Sequence, residues 1–190
     1  YMGLVEVGAG VVPAGGGCMR LYKRNVAALA DPGDVYPALR KTFETIGMAK
    51  VATSAEEARQ LGFLRPQDTW SMNAEHRVAD AKDLALAMAR TGFEAPLPDR
   101  QVPVMGRAGI ALVETVLYNM IDGGYASEHD RKIGLELGKI LCGGDGPGPT
   151  TVSEQHLLDL ERESFLRLCG EPKSLLRMQA ILKTGKPLRN

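Results

Sequence analysis

The sequence predicts a mainly α-helical fold with one or two short strands. Apolar residues recur at three- and four-residue spacing along most of the chain, as in Met19, Tyr22, Val26 and Leu29. Capping residues open these stretches and glycines close them. Strand-like runs are confined to the first dozen or so residues and to Phe63-Leu64. The composition is that of a globular protein, 44% hydrophobic and 24% charged, which excludes disordered and fibrous classes. With 23 basic and 23 acidic residues the net charge is zero, giving no electrostatic case for nucleic acid or an anionic membrane. The longest uncharged run, Val7 to Met19, is too short and too rich in glycine to span a bilayer. Cys18, Cys142 and Cys169 are far apart and odd in number, which reads as reduced thiols in an intracellular, cytoplasmic protein. A length of 190 residues suits one domain or a piece of a larger one. The abrupt apolar start at Tyr1 points to the second.

Tyr1 to Pro13 reads as a strand carrying Val5 and Val7, broken into a tight loop by Gly8 and Gly10. Ala14 to Gly17 follows, then a helix from Cys18 to Ala30 that Asp31-Pro-Gly-Asp34 ends. Leu39, Phe43 and Ile46 share the inner face of a helix over Val35–Ala49. Ser54 caps a short helix with Glu56 and Glu57 in its first turn and Gly62 at its end. Asn73 is placed to cap a helix through Arg90 with Val78, Leu84 and Met88 inward. Gly92 to Pro103 is a turn region, and an apolar helix runs from Arg107 to Ile121. Ser127 with Asp130 opens a helix that stops at Gly143-Gly144. The run from Gly143 to Pro149 reads as the most flexible connector. Thr151 with Glu154 starts a helix carrying Leu157, Leu160, Phe165 and Leu168, and Pro172 opens the last one, which ends near Gly185.

Few side chains carry chemistry. Val5 to Ala14 mimics the opening of a dinucleotide-binding fingerprint, but Pro13 stands where a third small residue is needed and would interrupt the helix. Glu6 among Leu4, Val5 and Val7 is either an outward-facing carboxylate or an acid–base group at a strand end. The triplet Gly15, Gly16 and Gly17 before a helix allows close approach of a ligand at an anion-favouring terminus, or serves as a turn. His76, His129 and His156 fall on three different helices without metal-ligand spacing, as surface or capping residues, and no metal is expected. Lys183, Lys186 and Arg189 are either a phosphate-binding group or a soluble basic tail.

With these residues in view, the chain resembles the crotonase (enoyl-CoA hydratase/isomerase) superfamily. The match lies in Val5-Glu6-Val-Gly-Ala-Gly10-Val-Val-Pro13-Ala-Gly-Gly-Gly17 and in Ala49-Lys-Val-Ala-Thr-Ser-Ala55-Glu-Glu-Ala-Arg-Gln-Leu-Gly62-Phe-Leu. Tyr1 to Gly8, Ser127-Glu-His-Asp130, Leu158-Asp-Leu-Glu-Arg162 and Thr184 to Asn190 look more narrowly like one subgroup. In that subgroup the segment forms the C-terminal part of a long, bacterial-type NAD-dependent 3-hydroxyacyl-CoA dehydrogenase of fatty-acid β-oxidation.

The resemblance implies the C-terminal portion of an α/β crotonase (ClpP/crotonase-like) fold. Residues 1–66 would end the crotonase core and 67–190 form the C-terminal helical region of the same domain. It implies Glu6 as a catalytic carboxylate, a substrate loop at Gly15, Gly16 and Gly17, and phosphate contacts from Lys183 and Lys186. Acyl-CoA is the implied substrate. No cofactor is expected on this segment, NAD belonging to a dehydrogenase domain elsewhere. The segment would expose apolar surface and need a partner, either the upstream part of the polypeptide or further copies of itself as a homo-oligomer. Three roles follow: part of a hydratase/dehydrogenase, an enoyl-CoA isomerase using the single glutamate, or a non-catalytic helical packing module.

Overall fold

A computed structural model describes residues 1–190. Eight helices follow in order: α1 (Gly17–Ala27), α2 (Tyr36–Gly47), α3 (Ala55–Gln60), α4 (Arg77–Arg90), α5 (Arg107–Asp122), α6 (Glu128–Leu141), α7 (Glu154–Cys169) and α8 (Pro172–Thr184). Four short strands pair as two separate antiparallel ribbons. In the first, β1 (Met2–Gly3) lies on β2 (Val51–Ala52); in the second, β3 (Val102–Val104) lies on β4 (Thr150–Val152).

This architecture overturns the expected portion of a crotonase fold. No larger sheet is present for the helices to cover, and each ribbon has only two strands. The helices instead pack on one another: α1 on α2, α6 on α5, α2 and α7, and α8 on α7. They enclose a single core to which Val12, Tyr22, Leu39, Ile46, Leu137, Ile140 and Leu157 contribute. Glycines on α5 and α6 set the closeness of the packing. A Cβ on Gly134 or Gly138 would stand 2.6 Å from Leu117 or 2.8 Å from Val113.

Three local expectations change for stated reasons. Glu6 is not on a strand: β1 ends at Gly3, and Glu6–Ala9 form a 3₁₀ turn closed by Gly10 at φ +91°. Gly8 and Gly10 donate to the carbonyls of Val5 and Val7, local bonds that a strand would have spent on a neighbour. Val78, Leu84 and Met88 face solvent rather than the core, because no element covers α4, which has no buried residue. Gly143 to Pro149 is pinned: Gly106 and Arg107 donate to the carbonyls of Cys142 and Gly146 at 3.0 and 2.9 Å.

Candidate functional site

The site forms where the two ends of the chain meet at the start of α1. Gly16, at φ +87°, is the N-cap, a left-handed conformation that a glycine supplies without strain. The first amides of α1 lack helical partners and gather positive potential there. A protein carboxylate occupies this place: Glu161 of α7 accepts from Gly16 N–H through Oε2 and from Met19 N–H through Oε1, both at 2.7 Å. Glu161 is fully buried. Burial pushes its carboxyl above the ordinary glutamate range; the backbone donors of Met19, Gly16 and Cys18 oppose this, and the charge of Glu6 adds to it.

Glu6 lies on the preceding turn. Its Oε2 is buried and has no hydrogen-bond partner. Cys18, the next side chain in this cluster, is buried with its thiol turned to the Pro13 carbonyl at 3.6 Å. Burial pushes that thiol up, and the charges of Glu161 and Glu6 push the same way, so Cys18 stays a protonated, unreactive thiol.

The turn is held from the other side by α8. Ser174 Oγ donates to Gly10 O at 2.6 Å, and the buried His129 ring of α6 meets the same hydroxyl at 3.0 Å. Arg177, also buried, reaches Val7 O at 3.4 Å and forms an ion pair with Asp130 at 2.8 Å. Asn190 accepts from Arg177 Nε at 2.8 Å and donates to Lys173 O, folding the tail back over α8. A groove of about 450 Å³ opens beside Val7 and Gly8, lined chiefly by apolar side chains such as Phe43, Met120 and Leu188, with Arg177 and Arg189 beside them.

Of the residues expected at a site, Gly15 to Gly17 lead into α1, and the charge of Glu6 acts on Cys18 in its first turn. Gly16's amide is already taken by Glu161, while Gly15 is exposed. Lys183 and Lys186 are exposed at the end of α8, where the following Pro187 comes within 4.0 Å of the Cβ position of Gly8. His129 is not a surface or capping residue but is buried; His156 bonds Gly143 O at 3.0 Å. Glu161 was missed, since its spacing among Leu157, Leu160 and Leu168 marks it only as an acid on the inner face of a helix. The residues do not fit NAD: the fingerprint-like run is a 3₁₀ turn, not a strand, and a carboxylate sits on the amides a pyrophosphate would need.

Two relatives accord with this segment. A protein of Bacillus subtilis (strain 168) named "Probable 3-hydroxyacyl-CoA dehydrogenase" is 46% identical over 190 residues, the whole of this chain but 24% of the relative. A protein of Rickettsia felis, named for a fatty acid oxidation complex trifunctional enzyme, is 26% identical over 181 residues, 95% of this chain and 22% of the relative. The chain thus spans about a quarter of the length of the curated relatives it matches. No protein-family model matches it, and no solved structure gives a significant match. No helix is long and apolar enough to cross a membrane.

Proposed function

We propose that this chain is a segment of a 3-hydroxyacyl-CoA dehydrogenase of fatty-acid β-oxidation that also hydrates enoyl-CoA thioesters, with Glu6 as an acid–base carboxylate. The observation that carries the reading is the buried, unpartnered Oε2 of Glu6 on a turn closed by Gly10. A buried carboxylate oxygen without a donor is costly, and the cost is accounted for where a reacting group supplies the missing partner. The similarity to the Bacillus subtilis protein over the whole chain supports the substrate class.

In hydration, the water oxygen bonds C3 of the 2-enoyl thioester while one of its protons passes to a carboxylate. C2 then receives a proton, so that water is added across the double bond with none left over. Glu6 exchanges these protons, and Gly15, with open space beside it, leaves room for the thioester to approach, whereas Gly17 is packed against Leu4 and Pro13. Lys183 and Lys186 are assigned to phosphate at the nucleotide end. NAD, the dehydrogenase cofactor, is assigned to a part of the protein outside residues 1–190.

Glu6→Gln in the full-length protein tests this. Enoyl-CoA hydration falls by about 10²- to 10⁴-fold, the usual contribution of one acid–base group, while hydroxyacyl oxidation persists. Unchanged hydration favours a second reading, a helical packing module. That reading has its own support in the exposed Leu112, Val116 and Tyr118 of α5 and Leu175, Leu176 and Leu182 of α8. In either case these apolar faces are assigned to contacts with the rest of the polypeptide or with a second copy.

A further inference from the structure

The groove beside the Glu6 turn has walls from separate parts of the chain. Val7 and Gly8, which directly follow Glu6, form one wall; α2, α5, α6 and the tail after α8 form the others. Its two arginines are tied to the turn. Arg177 reaches Val7 O at 3.4 Å, and Arg189 follows two residues after Pro187, which approaches the Cβ position of Gly8 at 4.0 Å. The helices contribute mainly apolar side chains, among them Phe43, Val116, Leu117, Met120 and Leu137.

Two glycines leave this groove open. Gly47 ends α2 and Gly8 lies in the 3₁₀ turn, and neither has the positive φ that would demand a glycine. Close packing does not demand one either. A Cβ on Gly47 would meet only Phe43 and Leu137, at 3.9 and 4.0 Å, and one on Gly8 only Pro187, at 4.0 Å. Gly134, which also lines the groove, is the contrast: its Cβ would stand 2.6 Å from Leu117. The side chains missing at Gly47 and Gly8 therefore become free volume, in a groove of about 450 Å³ that has the size of a small-molecule site.

Polarity and charge narrow the occupant. Met48, Val116, Tyr125 and Leu188 line the groove yet are exposed to water, as apolar groups awaiting a ligand are. Both carboxylates of the lining are already paired, Asp130 with Arg177 and Glu44 with Arg40, each at 2.8 Å. Arg189 joins none of the ion pairs, so the rim keeps one unmatched cation. It extends the basic tail of Lys183 and Lys186 assigned above to phosphate. An alkyl chain attached to an anionic carrier complements both features. We propose that the groove receives the alkyl chain of the acyl-CoA thioester and that Gly47 sets how long a chain it admits. This inference rests on the acyl-CoA reading above and adds to it a site for the chain.

The test locates the chain in the full-length protein with a ten-carbon acyl-CoA that carries a diazirine at its far end. On irradiation the label falls on peptides of α2, α5 or α6 that hold Phe43, Val116 or Leu137. Decanoyl-CoA suppresses this labelling at lower concentration than butanoyl-CoA, by about fourfold for each methylene buried. Two variants then narrow the groove from different walls, Gly47→Leu on α2 and Val116→Trp at an exposed position of α5. Each reduces the label on these helices by about tenfold or more, as an obstruction in an apolar pocket does. The wild-type label needs no variant to fold, and either variant can stand in for the other.

Label confined to other parts of the protein overturns the groove as the site of the chain. Label that Val116→Trp reduces and a folded Gly47→Leu does not overturns Gly47 as the gauge of length. Label elsewhere together with a change of oligomeric state in Val116→Trp gives the groove to a second copy, which also overturns the proposal. No label anywhere removes the acyl-CoA reading and the groove with it. Labelling requires no turnover, so wild-type hydration by Glu6→Gln overturns the role of Glu6 and leaves the groove standing.

Discussion

At the scale of single residues, the bonds around His129 fix its proton. The Ser174 hydroxyl has one hydrogen and gives it to Gly10 O at 2.6 Å, so at 3.0 Å it accepts from His129, whose Nε2 carries the proton. Burial is the first cause that lowers the pKa of this ring, followed by the charges of Arg177 and Lys173, with Glu171 and Asp130 opposing. A histidine whose folded pKa lies below its unfolded value, near 6.5, takes up its proton more readily when unfolded. Its contribution to stability is therefore complete above that pH and is lost as pH falls through it toward the folded value. Thermal unfolding followed from pH 7 to pH 5 shows a falling midpoint, and His129→Gln reduces the fall; equal slopes would remove His129 as a cause. The burial of His129 was not legible in the sequence, because Ser174, Gly10 and Arg177 come from distant positions. Glu6 was legible as a candidate because an acid among Leu4, Val5 and Val7 is unusual whatever the backbone does. Glu161 was not, since only the folded chain brings α7 to the start of α1.

Elements with local causes were readable. Ser54 caps α3 through Glu57 N–H at 3.1 Å, and Ser127 with Asp130 forms the reciprocal box at α6 that their spacing predicts. At α7 the cap is Ser153, and Thr151 lies in β4 instead, a shift of two residues caused by pairing with Pro103 across the ribbon. The strand expected within Tyr1 to Pro13 covers β1, but the pairing of both ribbons escaped sequence reading because each strand is too short to show alternation and its partner is far along the chain. Periodicity also misplaced α4: it correctly marks an amphipathic helix but cannot say whether anything covers the apolar side. Asn73, expected to cap α4, does not: the N-cap is His76 without a side-chain bond, and Asn73 instead accepts from Glu75 N–H at 3.0 Å in the turn before the helix. The two helix starts therefore respond differently to truncation. Ser127→Ala removes a half-buried bond to Asp130 N–H at the start of α6, a helix that packs on the core, and lowers stability by about 1 kcal/mol. Asn73→Ala, ahead of an α4 that buries nothing, leaves the global urea midpoint almost unchanged. Equal shifts in the two midpoints would show that α4 is held by contacts comparable to those of α6.

Across the whole molecule, the chain divides at an exposed stretch without dividing its core. Every residue from Met72 to Arg100 is exposed. Residues before and after that stretch share one interior: Leu39, Ile46 and Tyr22 belong to the same cluster as Leu137, Ile140 and Leu157. Polar bonds join the halves as well, through Glu161 to Gly16 and Met19, Ser174 to Gly10, Tyr22 to Pro103 at 2.9 Å, and the ion pair of Lys23 with Glu154. An exposed segment opens to a protease at little cost, whereas parting the halves would expose the core and strip Glu161 of both donors. Limited proteolysis should therefore cut first between residues 72 and 100, and the two products should elute together from a sizing column without denaturant. Replacing Leu137 with Ala in the nicked protein should weaken that association, because this fully buried side chain packs the two halves together and its truncation costs about 2–5 kcal/mol. Early cutting elsewhere, or separate elution of the wild-type fragments, would contradict a single interior. The same interior explains why the site escaped a linear reading: Glu161 and the amides of Gly16 and Met19 lie on opposite sides of the cleavable stretch, and only the shared core brings them together.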